Sequence, residues 1–148
     1  MKRSMNRLGA LAREEAGAAL LEFALFAGVL LVLTFGIIDF GRALFTANNL
    51  TAAAREGARY AAVLPNPATS TAAIQQRVAT YMSPFGSTPI DPATQVLVTY
   101  NSAGSSLQSI TVEVHYPFTW LTPIRALLGG SLTDTLHARA RFRWEQAY

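Results

Sequence analysis

Glu22 is the residue whose chemistry most needs an explanation, because it stands near the start of a long apolar run, GAALLEFALFAGVLLVLTFGIIDFGR, from Gly17 to Arg42. A carboxylate in hydrocarbon costs about 2.5–3.5 kcal/mol at the centre of a bilayer. Glu22 can offset that cost by reaching interfacial water or another helix, or by pairing with a cation in the same layer. If the chain were cut after Gly17, the new α-amino group of Ala18 would lie one helical turn from Glu22 and supply that cation.

Charged residues at helical spacing form a second set of candidates. Asp39 and Arg42 are three positions apart, and a second group, Arg55, Glu56 and Arg59, follows further along the same predicted helix. Side chains three or four positions apart are neighbours on a helix surface. These residues either guide packing against a partner helix or form a solvated helix face, and the sequence leaves both interpretations open.

The two histidines, His115 and His137, are the candidates for metal binding, and both fall on the polar faces of predicted strands. Two ligands without nearby carboxylates or cysteines make a poor site, and the chain has no cysteine. Serines are frequent, but none stands in a nucleophile motif such as G-x-S-x-G. We therefore predict surface histidines, no metal site, no cofactor and no enzymatic activity.

The composition favours a membrane protein. Charged residues make up 14% of the chain and apolar residues 51%, whereas charged residues make up about 25% of ordinary soluble domains. Four basic and two acidic residues precede Gly17, which favours a cytoplasmic N-terminus. The local basic row from Arg139 to Arg143 is thin for a nucleic-acid footprint, so we predict no nucleic-acid binding.

A long helix is the first element that must position these residues. The segment from Ala16 to Ile38 is long and apolar enough to span a membrane. Alanine-rich sequence then continues the helical pattern to Val63. Pro65 and Pro67 end it, because proline does not fit the interior of a helix. We expect the helix to be embedded in the membrane to about residue 38.

The remaining sequence predicts a small α+β head. A short helix from Thr71 to Met82 would place Ile74, Val78 and Tyr81 on one apolar face. Strands are predicted at 94–100, 109–116 and 136–144, with a turn at 101–106 and an apolar loop or helical turn at 119–128. The predicted fold class is therefore α+β, with a long N-terminal transmembrane helix followed by an antiparallel sheet of about three strands and a short helix.

Three motif pieces in register between Gly17 and Val63 resemble the TadE-like proteins of tight-adherence, Flp-type pilus systems. The pieces are GAALLEFAL at 17–25, DFGRAL at 39–44 and AAAREGARYAAV at 52–63. Many family members carry proline a few positions after the glutamate, where this chain has Gly28, so a proline kink is not expected. The sequence from Leu64 to Tyr148 adds no recognised motif.

The resemblance implies a minor pilin or pseudopilin that takes part in the assembly of type IV pili for adhesion and biofilm formation. Gly17 would precede the bond that a prepilin peptidase cleaves, Ala18 would be the mature N-terminus, and Glu22 would be the acid at the fifth mature position. The implied domains are a cleavable leader at 1–17, a long helix at 18–63 and an extracytoplasmic head at 64–148.

The resemblance also implies the partners and the location. The expected partners are the prepilin peptidase, pilus assembly platform proteins, other pilin-like subunits and membrane lipid. The expected location is the bacterial inner membrane, in a single pass with the N-terminus in the cytoplasm. An uncleaved single-pass envelope protein whose outer domain binds a partner is the alternative. Incorporation into the pilus, the position in it and the ligand of the head stay open.

Overall fold

A computed structural model describes the backbone of residues 2–85, 88–103, 106–122, 125 and 129–144. It describes side chains within those ranges from Ala16 onward, except at 103 and 106–108. The chain divides into two compact units, Met1–Asp39 and Phe40–Tyr148. The boundary between the units falls within helix α1, which runs over Lys2–Ala62.

The described residues of the first unit are helical. The helix already begins at Lys2, so the segment that precedes Gly17 shares the helical backbone of the apolar run. The large apolar side chains between Leu20 and Ile38 are 46–76% exposed. The part of α1 from Ala16 to Ala62 is long and apolar enough to cross a membrane, with a mean hydropathy of 2.4 over its most apolar window. This part of the chain therefore suits a single-pass membrane anchor.

The second unit contains the end of α1 and the α+β head. A 3₁₀ turn at Pro67–Ser70 leads into helix α2 at Thr71–Met82, and a short helix α3 follows at Pro92–Gln95. The three strands are β1 at Val96–Ala103, β2 at Ser106–Thr119 and β3 at Thr133–Arg143. They form one antiparallel sheet in the order β1-β2-β3, so β2 is the central strand. The predicted α+β class is confirmed.

One face of the sheet packs into a core with α1 and α2. Alternate residues of β2 supply its centre, and Val112 and Val114 are fully buried. The core side of α1 is made of Leu50 and small residues, namely Ala53, Ala54, Gly57, Ala58 and Ala61. Small side chains let the helix approach the sheet closely. A Cβ atom built on Gly57 would lie 2.4 Å from Cγ2 of Val78 in α2 and 3.5 Å from Cγ1 of Val112 in β2.

The residue that follows β3 is hydrogen-bonded to the chain just beyond the end of α1. Trp144 follows β3 directly, and its indole N–H donates a hydrogen bond to the carbonyl oxygen of Leu64 over 3.1 Å. Both side chains also pack against the core. Trp144, the last residue that the structure describes, therefore packs where the long helix ends.

The predicted elements hold in outline but differ in detail. Helix α2 has the predicted bounds, but its buried face consists of Ile74, Val78 and Met82, whereas Tyr81 is 37% exposed. Thr94 and Gln95 belong to α3 and not to the first strand. Asp91 caps the start of that helix, because its carboxylate accepts the backbone N–H of Ala93, and this cap favours a helical turn there. The predicted turn at 101–106 and loop at 119–128 lie partly outside the described residues.

Candidate functional site

The predicted cleavage and pairing residues lie together on α1. Gly17, Ala18 and Glu22 are all helical and exposed. Ala18 and Glu22 are four positions apart on the helix, which places them on one face, about 6 Å apart along the axis. The bond after Gly17 is accessible from solvent but has helical geometry. A positive charge at Ala18 would therefore lie within one helical turn of the Glu22 carboxylate.

Glu56 is the centre of an ion-pair cluster on the head side of α1. Arg59 donates to its two carboxylate oxygens over 3.0 and 3.2 Å. Arg77 of α2 donates to Oε1 from two nitrogens, over 2.8 and 3.3 Å. Hydrogen bonds from Arg77 first, and then from Arg59, lower the pKa of Glu56 below its usual 4.5. The cluster therefore ties α2 to α1 with a carboxylate that stays ionised.

The structure joins only part of the predicted charged group. Glu56 and Arg59, three positions apart, form a pair within α1, whereas nothing in the sequence indicated Arg77, which is 21 positions from Glu56. A shallow cavity of about 400 Å³ lies beside them. Its lining consists of Asn48, Thr51, Ala52, Arg55, Glu56, Arg59, Tyr81 and Phe142. The three predicted residues at 55–59 therefore line a recess with polar and aromatic walls.

Asp39 and Arg42, the other predicted packing residues, have different environments. Asp39 is only 2% exposed, so its side chain is not on a solvated helix face, and its packing against a partner helix stays a prediction. The guanidinium carbon of Arg42 lies 5.2 Å from the centre of the Phe118 ring, within the range of a cation–π contact. Arg42 thus links the start of the second unit's share of α1 to the end of β2.

The two histidines lie on the sheet face opposite the core. His115 and His137 are direct partners in the β2–β3 pairing, and their ring centres are 4.5 Å apart. Glu113 lies two positions before His115, and its Oε1 is 3.3 Å from Nε2 of His115. The expectation that no carboxylate lies near the histidines is therefore wrong, because alternation in β2 puts Glu113 on their face.

Arg139 completes this polar surface. Its guanidinium donates to Oε2 of Glu113 over 2.6 and 3.0 Å. The hydrogen bond from Arg139 is the largest cause of a pKa of Glu113 below the usual 4.5. Three potential ligands, Glu113, His115 and His137, consequently lie together with their ligand atoms within 4.8 Å of one another.

Residues 17–59 match the family model described as TadE-like protein. This match confirms the resemblance predicted from the motifs. Every predicted site residue, from Gly17 to Arg59, lies inside the matched segment. Arg77 and the polar sheet face with His115 and His137 lie beyond it. No curated protein and no solved structure matches the chain.

Proposed function

We propose that this protein is a TadE-like minor pilin or pseudopilin that takes part in the assembly of Flp-type type IV pili, and thereby in adhesion and biofilm formation. The observation that carries the proposal is the TadE-like match at 17–59. The match begins at Gly17, the residue that the motif places before the cleaved bond. In this proposal the protein is the substrate of an enzyme and not an enzyme itself.

The exposed apolar surface of α1 supports the proposal that this subunit moves from the membrane into a pilus. Leu20, Phe23 and Phe26 are 68–76% exposed, so they need a cover that their own unit does not supply. Lipid provides that cover in the inner membrane before assembly, and helices of other pilin-like subunits provide it afterwards. The assembly platform proteins of the pilus would move the subunit between these two environments, with its head on the extracytoplasmic side.

Processing after Gly17 agrees with the local backbone. A peptidase needs the backbone around the cleaved bond to leave its helical conformation. Glycine makes that opening easier, since it is about 1 kcal/mol less favourable than alanine in a helix. The side of Gly17 is also open, because a Cβ atom built there would meet nothing within 4 Å. A prepilin peptidase would therefore find an accessible bond at which the helix is weak.

Cleavage would give Glu22 its partner. The α-amino group of Ala18 would lie at the new helix start, one turn from the Glu22 carboxylate on the same face. The unpaired N–H groups of that first turn also favour a nearby negative charge. The amine and the carboxylate could pair within one chain or between neighbouring helices. A pair between chains would fix their register, because an unpaired charge in an apolar bundle is expensive.

The first test is the intact mass of the membrane-extracted protein from its native host, with and without the prepilin peptidase. We expect a mass that corresponds to Ala18–Tyr148 only when the peptidase is present. A full-length chain in both strains would contradict the proposal. It would favour the alternative, in which an uncleaved envelope protein uses its single helix as an anchor and its outer domain to bind a partner.

The second test separates cleavage from pairing. Glu22→Ala should be cleaved normally but reduce the number of pili by about tenfold or more, because the Ala18 amine loses its partner. Electron microscopy would count the pili, and mass spectrometry would follow cleavage. Glu15→Ala is the matched control, because it removes an acid from the leader and should leave both readouts unchanged. Normal pilus numbers with Glu22→Ala would exclude the pairing role.

A further inference from the structure

The polar face of the sheet holds a cluster of side chains that the pilin function does not use. His115 of β2 and His137 of β3 are opposite each other in the strand register. Opposed residues on neighbouring strands have Cβ atoms about 4.5–5.5 Å apart. Glu113 projects from the same face two positions earlier, because side chains alternate along a strand. The sheet backbone therefore brings the three side chains together before any ligand arrives.

The distances suit a small transition-metal ion. Zn²⁺ binds histidine nitrogens and carboxylate oxygens at about 2.0–2.2 Å in a tetrahedron, so two of its ligands lie about 3.3 Å apart. Nε2 of His115 and Oε1 of Glu113 are separated by 3.3 Å. The ligand atoms of all three residues lie within 4.8 Å. The third ligand, His137, has to come closer to the ion than this distance, and we expect it to do so when the ion binds.

His115 provides an independent reason to expect a ligand. Its Nε2 atom is shielded from solvent and makes no hydrogen bond with any part of the chain that the structure describes. The nearby Oε1 atom of Glu113 lies within ion-pair distance but does not satisfy hydrogen-bond geometry. Shielded polar atoms in proteins are nearly always satisfied by a partner. A metal ion between Nε2 and Oε1 would satisfy both atoms.

Arg139 holds the carboxylate in a suitable orientation. It binds Oε2 of Glu113 and leaves Oε1 directed at His115. Outer hydrogen bonds of this kind commonly orient the carboxylates that bind metals. The positive charge of Arg139 also repels a cation, which lowers the affinity below that of a purely anionic site. The arrangement therefore fits reversible binding better than a permanent structural metal.

We propose that Glu113, His115 and His137 form a binding site for Zn²⁺ on the outer face of the head sheet. Two imidazoles and one carboxylate favour zinc over calcium or magnesium, which prefer sites made of oxygen atoms. Three protein ligands leave the fourth position to water or to a group from another molecule. This proposal departs from the sequence-based prediction of no metal site, and it does not depend on the pilin function.

Equilibrium dialysis of Zn²⁺ against the full chain in detergent micelles, made without a histidine tag, tests the site. We expect one bound equivalent in the micromolar range and a rise in the thermal unfolding midpoint, because the ion binds the folded chain. His115→Asn and His137→Asn should each weaken binding by about tenfold or more. Co²⁺ should give the visible absorption bands of a four-coordinate ion with the natural chain, and these bands should be lost in both histidine variants.

Arg141→Gln is the matched control. Arg141 lies on the same face of β3 and donates to Ser109 over 2.8 Å, away from the three ligands. This variant should still bind one equivalent of Zn²⁺ with unchanged affinity. The proposal is overturned if the natural chain shows neither stoichiometric binding nor a shifted midpoint, or if both histidine variants bind as tightly as the natural chain. The natural chain's own midpoint shift keeps the test decisive if a variant fails to fold.

Discussion

Helix α1 contributes residues to two units, and its apolar side chains are exposed in the first unit but buried on one side of the helix in the second. Leu30, in the first unit, is 63% exposed, whereas Leu50, in the second, is fully buried. Both are leucines in the same continuous helix. Helix formation therefore does not decide where a leucine goes. Whether a leucine is buried depends on the elements around it, and in the first unit an apolar environment has to come from outside the unit.

The residue types along α1 reflect this difference. The first unit presents leucine and phenylalanine all around the helix, which is typical of a segment in contact with lipid. The second unit replaces them on one side by alanine and by Gly57, where the sheet and α2 come close. Bulky residues suit a fluid cover that adapts to them, whereas small residues suit a close contact between fixed elements.

Paired leucine substitutions should give the largest contrast between the two regions. Leu50→Ala should lower the free energy of unfolding of the head by about 3 kcal/mol, because it leaves a cavity in a packed core. Leu30→Ala should change it by less than about 0.5 kcal/mol, as expected for a side chain outside that core. Denaturant titration in micelles measures both values. Trp120 and Trp144, the only two tryptophans, report on the head alone. Equal effects would contradict the division into two units.

Paired glycine substitutions should sharpen the comparison with a smaller effect. Gly57→Ala should cost about 1–2 kcal/mol, because the new Cβ would overlap Val78, and overpacking outweighs the better helix propensity of alanine. Gly28→Ala should leave head stability unchanged, because a Cβ there meets nothing within 4 Å. The same tryptophan-detected unfolding curves apply. Stabilisation by Gly57→Ala would show that α1 and α2 are not in close contact.

The Glu56 ion pairs should give the smallest effect, and one that depends on pH. The pKa of Glu56 is lowered in the folded chain, so its contribution is complete above the unfolded pKa and is lost as the pH falls through the folded value. Glu56→Gln should therefore cost about 1 kcal/mol at neutral pH. The difference from the natural chain should shrink as the pH falls below about 4.5.

Unfolding curves between about pH 7 and pH 3 would measure this loss. Glu22→Gln is the matched control, because it neutralises a carboxylate in the first unit and should leave the unfolding of the head unchanged at every pH. A difference between Glu56→Gln and the natural chain that stays constant with pH would mean that the Glu56 charge contributes nothing to stability.

Local patterns predicted much of the fold. The buried residues of β2, Ile110, Val112, Val114 and Tyr116, alternate as expected for the predicted strand, and the prolines correctly marked the end of α1. The face of α2 was harder, because Tyr81 and Met82 are both apolar and adjacent. Which of the two side chains is buried depends on where α2 packs against the sheet. That contact joins distant parts of the chain, which periodicity within α2 does not encode.

The candidate sites show the same limit. Glu56 and Arg59 are three positions apart, so their pair lies within one helix, whereas the contact with Arg77 depends on how α2 packs against α1. Alternation already placed Glu113 and His115 on one face of β2, and this signal could have indicated a carboxylate beside a histidine. The opposition of His115 and His137 could not be predicted, because the long connection between β2 and β3 leaves their register undetermined.

The hydrogen bond from Trp144 to Leu64 has a consequence for the order of folding. It joins residues 80 positions apart, and contacts between distant residues slow folding because a long loop must close first. Synthesis delivers the alanine side of α1 long before β2 and β3 exist to cover it. The alanine side of α1 therefore stays exposed in a growing chain until β3 has been made. A chain that ends before β3 cannot complete its core.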